Sequence, residues 1–429
     1  MVECTREVLD NGLRVLYVPM PSFHSAIAIA YVRMGPRFES PDLNGISHFV
    51  EHVLFKGTAR YPDPESLSRA IDAHSVELNG ATMPEYTEVV AGAHTRHFAQ
   101  ALELLAEVVL RPRFDPQHVE VERSVVLEEM RQYRDAGSKG ISLDELSYEL
   151  MWPEQSHTFR CLGTEANVAR FSREGLEAHY RRYLMGRNTV LCIAGNFPQP
   201  EVRSRIADAF GSLAPGEALP CLPLAEPREA PPPLFSHARS HTTHLKLCHK
   251  ACSYHDPKMY PLVVMSDILG GGVTSRLFSR LRERDGLVYD VGAHASLFSD
   301  VGWVEVATST SRHKVAATVE ATLEEVRRLA TEGIPEAQLQ VFKERVACNM
   351  EMLEDSPPDI AEWLGTREVL LAPEKVVMPS GEAERLKEVT AEEVAAVARE
   401  VFAPERRSLV VLGPCSWLQR RRVRRAVAT

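Results

Sequence analysis

The chain has 429 residues, 44% of them apolar and 25% charged, enough for more than one buried core. Its 49 basic and 59 acidic side chains leave a formal charge of −10, which argues against a nucleic-acid protein that binds by neutralising phosphates. No window holds the ~18 consecutive apolar residues of a membrane-spanning helix, and the opening Met1-Val-Glu-Cys-Thr-Arg-Glu lacks a basic segment followed by an apolar run; no membrane partner and a cytoplasmic location are expected.

In chain order, residues 12–18 and Ser25–Val32 are strand-like, followed by helices at Gly45–Phe55 and Pro64–Ala73. A strand is expected at Tyr86–Ala91. The segment Thr95–Leu110 carries Leu102, Leu105, Val108 and Val109 on one helical side. Pro112 and Pro116 break it, and Pro116 opens a long helix reaching about Tyr133. Residues 213–234, with proline dense and no helical period, read as a stiff linker between halves 1–212 and 235–429. The second half repeats the plan: a strand at 244–249, helices at Tyr260–Leu269 and Ser275–Arg284, a strand at 303–308, and helices at Val315–Thr331 and Glu336–Leu353. The expected class is α+β, two similar halves, each a mostly antiparallel sheet backed by helices.

Several smaller features have plain readings. The eight cysteines are scattered; Cys248 and Cys252 lack the CxxC spacing and read as buried thiols. Gly270-Gly-Gly272 is not followed by the lysine of a phosphate loop. Residues 419–425, QRRRVRR, read as a solvated terminus or as a grip on an acidic partner.

The informative segment is His48-Phe-Val-Glu-His52. Residues four apart stand one turn above each other on a helix, so the two imidazoles can share a metal ion or form a half-buried histidine pair. Glu51 sits beside them, close enough to touch a metal-bound water without ligating the metal. A catalytic zinc site takes three protein ligands and keeps one position open. The helix from Pro116 offers Glu122, Glu128 and Glu129. Glu122 and Glu129, seven apart, share a face; Glu128 lies ~100° from Glu129.

The sequence resembles the M16 family of zinc peptidases, the pitrilysin or inverzincin family, which includes the mitochondrial processing peptidases. The matching segments, in the family's order, are LDNGLRVLYVP (9–19), NGISHFVEHVLFKGT (44–58), LNGATMPEYT (78–87), LRPRFDPQHVEVERSVVLEEM (110–130), LGTEANV (162–168), AGNF (194–197) and LGGGVTSRLFSRLRERDGLVYDV (269–291). The resemblance implies that His48 and His52 ligate Zn²⁺ and that Glu51 is the general base acting on zinc-bound water. It implies Glu129 as third ligand, because the family's ligand follows a supporting glutamate by seven residues and Glu122 precedes Glu129 by seven; Glu128 is the alternative. It further implies that Arg282 and Tyr289 contact substrate or stabilise the tetrahedral intermediate. Segment 78–87 would be an edge strand presented to a peptide substrate, with Asn79 a substrate contact or an ordinary turn residue, and with Gly80 where relatives usually have alanine. The implied activity is a metalloendopeptidase that encloses peptides or unfolded segments in a chamber of four halves, made by a homodimer or by a heterodimer with another M16 chain. The competing reading is a non-catalytic M16-like scaffold or assembly subunit.

Overall fold

The computed structural model describes residues 2–136, 142–225, 230–238 and 240–428; part of the expected linker, 226–229, lies outside them. The chain opens with β1 (Thr5–Val8), β2 (Arg14–Pro19) and β3 (Ser25–Val32), then α1 (Ile46–Leu54) and α2 (Pro64–Ala73). Strands β4 (Glu77–Thr82) and β5 (Thr87–His94) lead into α3 (Phe98–Leu110), α4 (Pro116–Ala136), α5 (Leu143–Met151), α6 (Glu165–Arg170) and α7 (Arg173–Tyr183). Strand β6 (Thr189–Gly195) and α8 (Gln199–Phe210) precede the proline-rich stretch. Beyond it lie β7 (Leu234–Ser236), β8 (Thr242–Ala251), α9 (Met259–Gly270), β9 (Val288–Leu297), β10 (Gly302–Ser311), α10 (Val315–Glu332) and α11 (Glu336–Leu353). Helices α12 (Pro357–Leu370), α13 (Pro379–Glu388) and α14 (Ala391–Val401), strand β11 (Arg407–Leu412) and α15 (Trp417–Ala428) follow. Among the described residues, no helix is long and apolar enough to cross a membrane.

The helix starts follow local chemistry. Pro64 occupies the first turn of α2, and Asp63 caps it by accepting from the Ser66 backbone N–H at 2.8 Å. The helix expected at Ser275–Arg284 instead widens near its end, where the Asp285 N–H bonds to the Arg280 carbonyl five residues back.

Two compact units form. The first comprises Met1–Met130, His157–Leu222 and Met350–Pro379. Its sheet has the order β1-β2-β6-β3-β5-β4, antiparallel except for β2 beside β6, with β4 at one edge. Alternate residues of β3 serve opposite faces: Ala26, Ala28, Ala30 and Val32 join the core under α1, α3 and α4, while Ile29 and Tyr31 join the core under α12. Helix α12 approaches so closely that a Cβ at Gly365 would lie 2.1 Å from the Tyr31 ring. Its Glu368 carboxylate, fully buried, accepts from Arg6 at 2.6 Å and lies 3.5 Å from Arg14.

The second unit comprises Arg131–Ser156, Pro223–Asn349 and Ser380–Thr429. Its sheet has the order β7-β11-β8-β10-β9, antiparallel except for β7 beside β11. Helix α5 lies on one face, with Leu146 against Val410 and Leu412. Trp152 and Tyr148 pack edge-on to Trp303 at 5.5 and 5.8 Å. A polar network lies on that face: Lys246 Nζ reaches Asp144 of α5 at 2.5 Å and Glu305 at 2.7 Å. The units are therefore not contiguous stretches of sequence. Each takes a helix from across the proline-rich segment, α12 in the first unit and α5 in the second.

Two smaller expectations meet the structure here. All eight cysteines are free thiols, Cys248 buried and Cys252 half-buried. The arginine-rich segment is not a loose terminus: it forms α15, because Val423 is buried and Arg422 pairs with Glu320 of α10.

Candidate metal centre

Helix α1 begins at Gly45, whose φ of 98° is left-handed and whose missing Cβ admits the Leu162 carbonyl. The buried Glu39 carboxylate anchors this end, accepting from the backbone N–H of Gly45 at 2.8 Å and of Ser47 at 2.9 Å, and from the Asn44 side chain at 3.1 Å. A negative group here also complements the helix dipole. Phe49, Val50 and Val53 fix the helix in the core. His48 and His52 are thereby presented together, with ring centroids 4.7 Å apart.

Helix α4 supplies the carboxylates. Val119, Val126 and Met130 bury its inner side. Glu129 Oε2 stands 3.2 Å from His52 Nε2 and 3.8 Å from His48 Nε2. One ligand atom from each of His48, His52 and Glu129 lies within 4.8 Å of the others. Glu128 is exposed and is not part of this group. Two turns earlier, Glu122 Oε2 meets His52 Nδ1 at 3.2 Å, and its other oxygen accepts from Lys56 at 2.9 Å. Two imidazole nitrogens and one carboxylate oxygen form a donor set used by catalytic zinc, so the residues fit the ion that the sequence implies. Glu122 acting on the far ring nitrogen is the support such a ligand ordinarily receives.

Burial and the neighbouring His52 hold the His48 imidazole down at about 4. Burial also disfavours charge on His52, but Glu122 and Glu129 outweigh it and lift that ring to about 9. The Glu129 carboxyl is held low by the hydrogen bond from His52. Glu51 is shifted the other way: burial raises its pKa against the opposing hydrogen bond from Thr82. Thr82 Oγ1 donates to Glu51 Oε2 at 2.9 Å.

The remaining expected residues divide between the units. Asn79 and Gly80 lie on edge strand β4, paired with β5. Asn79 is exposed and its Oδ1 accepts from the Gly80 N–H at 2.9 Å. A Cβ on Gly80 would lie 2.9 Å from the Phe55 ring and 3.2 Å from Glu51 Cγ, so this glycine lets α1 and the strand close up beside Glu51. Arg282 and Tyr289 belong to the second unit and meet each other, the guanidinium 4.9 Å from the ring centroid. Tyr289 is 81% exposed. Sequence reasoning missed Thr82, Lys56 and Glu39. Thr82 had a signal, since strand period two puts residues 80 and 82 on one face; a buried capping carboxylate such as Glu39 has none.

Comparison with known proteins places the chain in a family. Residues 14–152 match the family profile described as "Insulinase (Peptidase family M16)", and residues 170–346 match the one described as "Peptidase M16 inactive domain". An uncharacterized zinc protease of Bacillus subtilis is 28% identical over 95% of this chain and 98% of its own length. An uncharacterized zinc protease of Mycobacterium tuberculosis H37Rv is 30% identical over 95% of this chain and 93% of its own. Among solved structures, a protease from Helicobacter pylori superposes with a TM-score of 0.87 at 19% identity, covering 96% of this chain and all of that one. The division into a half carrying the paired histidines and a half without them has its counterpart in the two profiles. With that division, and with a likeness running nearly end to end, the chain belongs to the M16 peptidase family.

Proposed function

We propose that the chain is a zinc-dependent endopeptidase acting on peptides or unfolded segments. The observation that carries this is the convergence of His48, His52 and Glu129 beside the half-buried carboxyl of Glu51. Zinc, when bound by those three residues, supplies a Lewis acid that polarises a peptide carbonyl and makes water nucleophilic near neutral pH. Glu51 takes the proton of the attacking water and returns it to the leaving amine. Its raised pKa suits a group that must hold a proton between those steps. Glu122 accepts the Nδ1 proton of His52 and so turns the Nε2 lone pair toward the ligand cluster.

Arg282 and Tyr289 act as donors to the substrate carbonyl as it gains negative charge, and loss of one such donor costs ~2.7–4 kcal/mol. Strand β4, with Asn79 and Gly80, holds the peptide extended by main-chain hydrogen bonds at an open sheet edge, giving loose side-chain selection. A second chain, identical or related, completes the enclosing chamber. The reading is tested by metal content and cleavage together. The wild type should hold one zinc ion per chain and cut an unstructured peptide; Glu129→Gln should lose both, and Glu128→Gln neither. Peptide cleavage that survives complete removal of zinc would overturn the reading.

A further inference from the structure

Helix α15 is the part of the molecule that this chemistry leaves unused. Its twelve residues, WLQRRRVRRAVA, carry five arginines and no acid, in a chain whose formal charge is −10. Two polar anchors and one apolar anchor fix its orientation. Val423 is fully buried. Gln419 accepts from the Ala316 N–H at 2.7 Å and donates to the His313 carbonyl at 2.9 Å. Arg422 pairs with Glu320.

At 100° per residue, these anchors direct residues 419, 423 and 426 inward. The opposite side then presents Trp417, Leu418, Arg421, Arg424 and Arg425. Burial agrees: Trp417 is 68% and Leu418 65% exposed, and the three arginines are exposed. Arg421 lies over the Trp417 ring at 5.7 Å, and Arg424 over Phe235 at 5.5 Å. Among the described residues, no carboxylate lies within ion-pair reach of Arg421, Arg424 or Arg425. The β10–α10 turn beside the helix adds exposed Arg312 and Lys314.

We propose that this face of α15 docks on an anionic lipid bilayer. Its charge complements acidic headgroups, and each arginine gains on approaching such a surface. Two adjacent large apolar side chains among the arginines, one a tryptophan, match the boundary between headgroups and acyl chains, where an indole is favoured. Nucleic acid would reward the arginines but not Leu418. An acidic polypeptide would match the arginines, but its charge alone gives no place to the exposed Trp417 and Leu418 beside them, which a bilayer interface takes up. The expectation of no membrane partner rested on the lack of a spanning segment, and a helix lying in the interface needs none.

The test is co-sedimentation of the full chain with phosphatidylcholine vesicles, with and without 30 mol% phosphatidylglycerol. The wild type should bind only the anionic vesicles, be released at high salt, and show a blue shift of tryptophan emission that Trp417→Phe removes. The R421Q/R424Q/R425Q triple variant should lower the bound fraction at least tenfold. Trp417→Ser/Leu418→Ser should weaken binding severalfold without removing its salt dependence. All these positions lie outside the metal centre, so zinc content serves as the folding control. Equal binding to both vesicle types, no binding to either, or full binding by the triple variant would overturn the proposal. Binding to polyaspartate without binding to vesicles would also overturn it and assign the face to an acidic polypeptide.

Discussion

Thr82 holds one oxygen of Glu51, the proposed base, by a hydrogen bond of 2.9 Å. A hydrogen bond to a charged group is worth about 1.5–3 kcal/mol. Thr82→Ala should therefore lower kcat roughly ten- to a hundredfold with zinc affinity and KM little changed, and Thr82→Ser should recover most of the loss. Glu122 acts on the metal side instead. Glu122→Gln replaces an acceptor of the His52 Nδ1 proton by a weaker one and should reduce zinc affinity by about 10–100-fold, read by competition with a chelating dye. The four-residue spacing of the two histidines placed them near one side of a helix, while Glu129 was singled out from Glu128 by the family resemblance and its seven-residue offset from Glu122; the structure brings these three side chains together. Thr82 was only half legible: its strand face follows from period two, but the face that meets α1 depends on the tertiary packing of β4.

At the scale of elements, helices α1 to α4 could be placed within a few residues because prolines and apolar periodicity mark their limits. The partners of the two sheets could not. Residues 189–195 of β6 are buried throughout, a pattern that signals cover on both faces without naming the cover. The cover is α12, more than 160 residues later, held by Gly365 against Tyr31 and by Glu368 on two arginines. Glu368→Ala leaves Arg6 and Arg14 without this carboxylate and should destabilise the protein by about 3–5 kcal/mol in urea unfolding. In the second unit, burial opposes charge on Glu305, yet hydrogen bonds from His294, Lys246 and Trp303 hold its pKa down at about 2, against an ordinary 4.5. A depressed carboxyl stabilises fully above its unfolded value and loses that effect as pH falls through the folded one. Glu305→Gln should thus lower the melting temperature at neutral pH, and its gap from wild type should close as pH drops from 4.5 toward 2.

At the scale of the whole molecule, the His48, His52 and Glu129 group and the Arg282–Tyr289 pair lie in different units of one chain, and the proposed reaction calls on both. That distribution follows from a duplicated plan in which the first copy keeps the paired histidines and the second keeps Arg282 and Tyr289. The formal charge of −10 belongs to the chain as a whole, whereas α15 carries five arginines and no acid. The duplicated plan was legible in the order of strands and helices, but the exchange of α5 and α12 was not, because it depends on contacts far apart in sequence. The most direct measurement incubates zinc-loaded wild type and Glu51→Gln with one unstructured ~30-residue peptide and reads the fragments by mass spectrometry. Wild type should cut at internal bonds, while Glu51→Gln, holding the same zinc, should leave the peptide intact. Equal cleavage by both proteins would contradict the role of Glu51 as base and with it the peptidase mechanism.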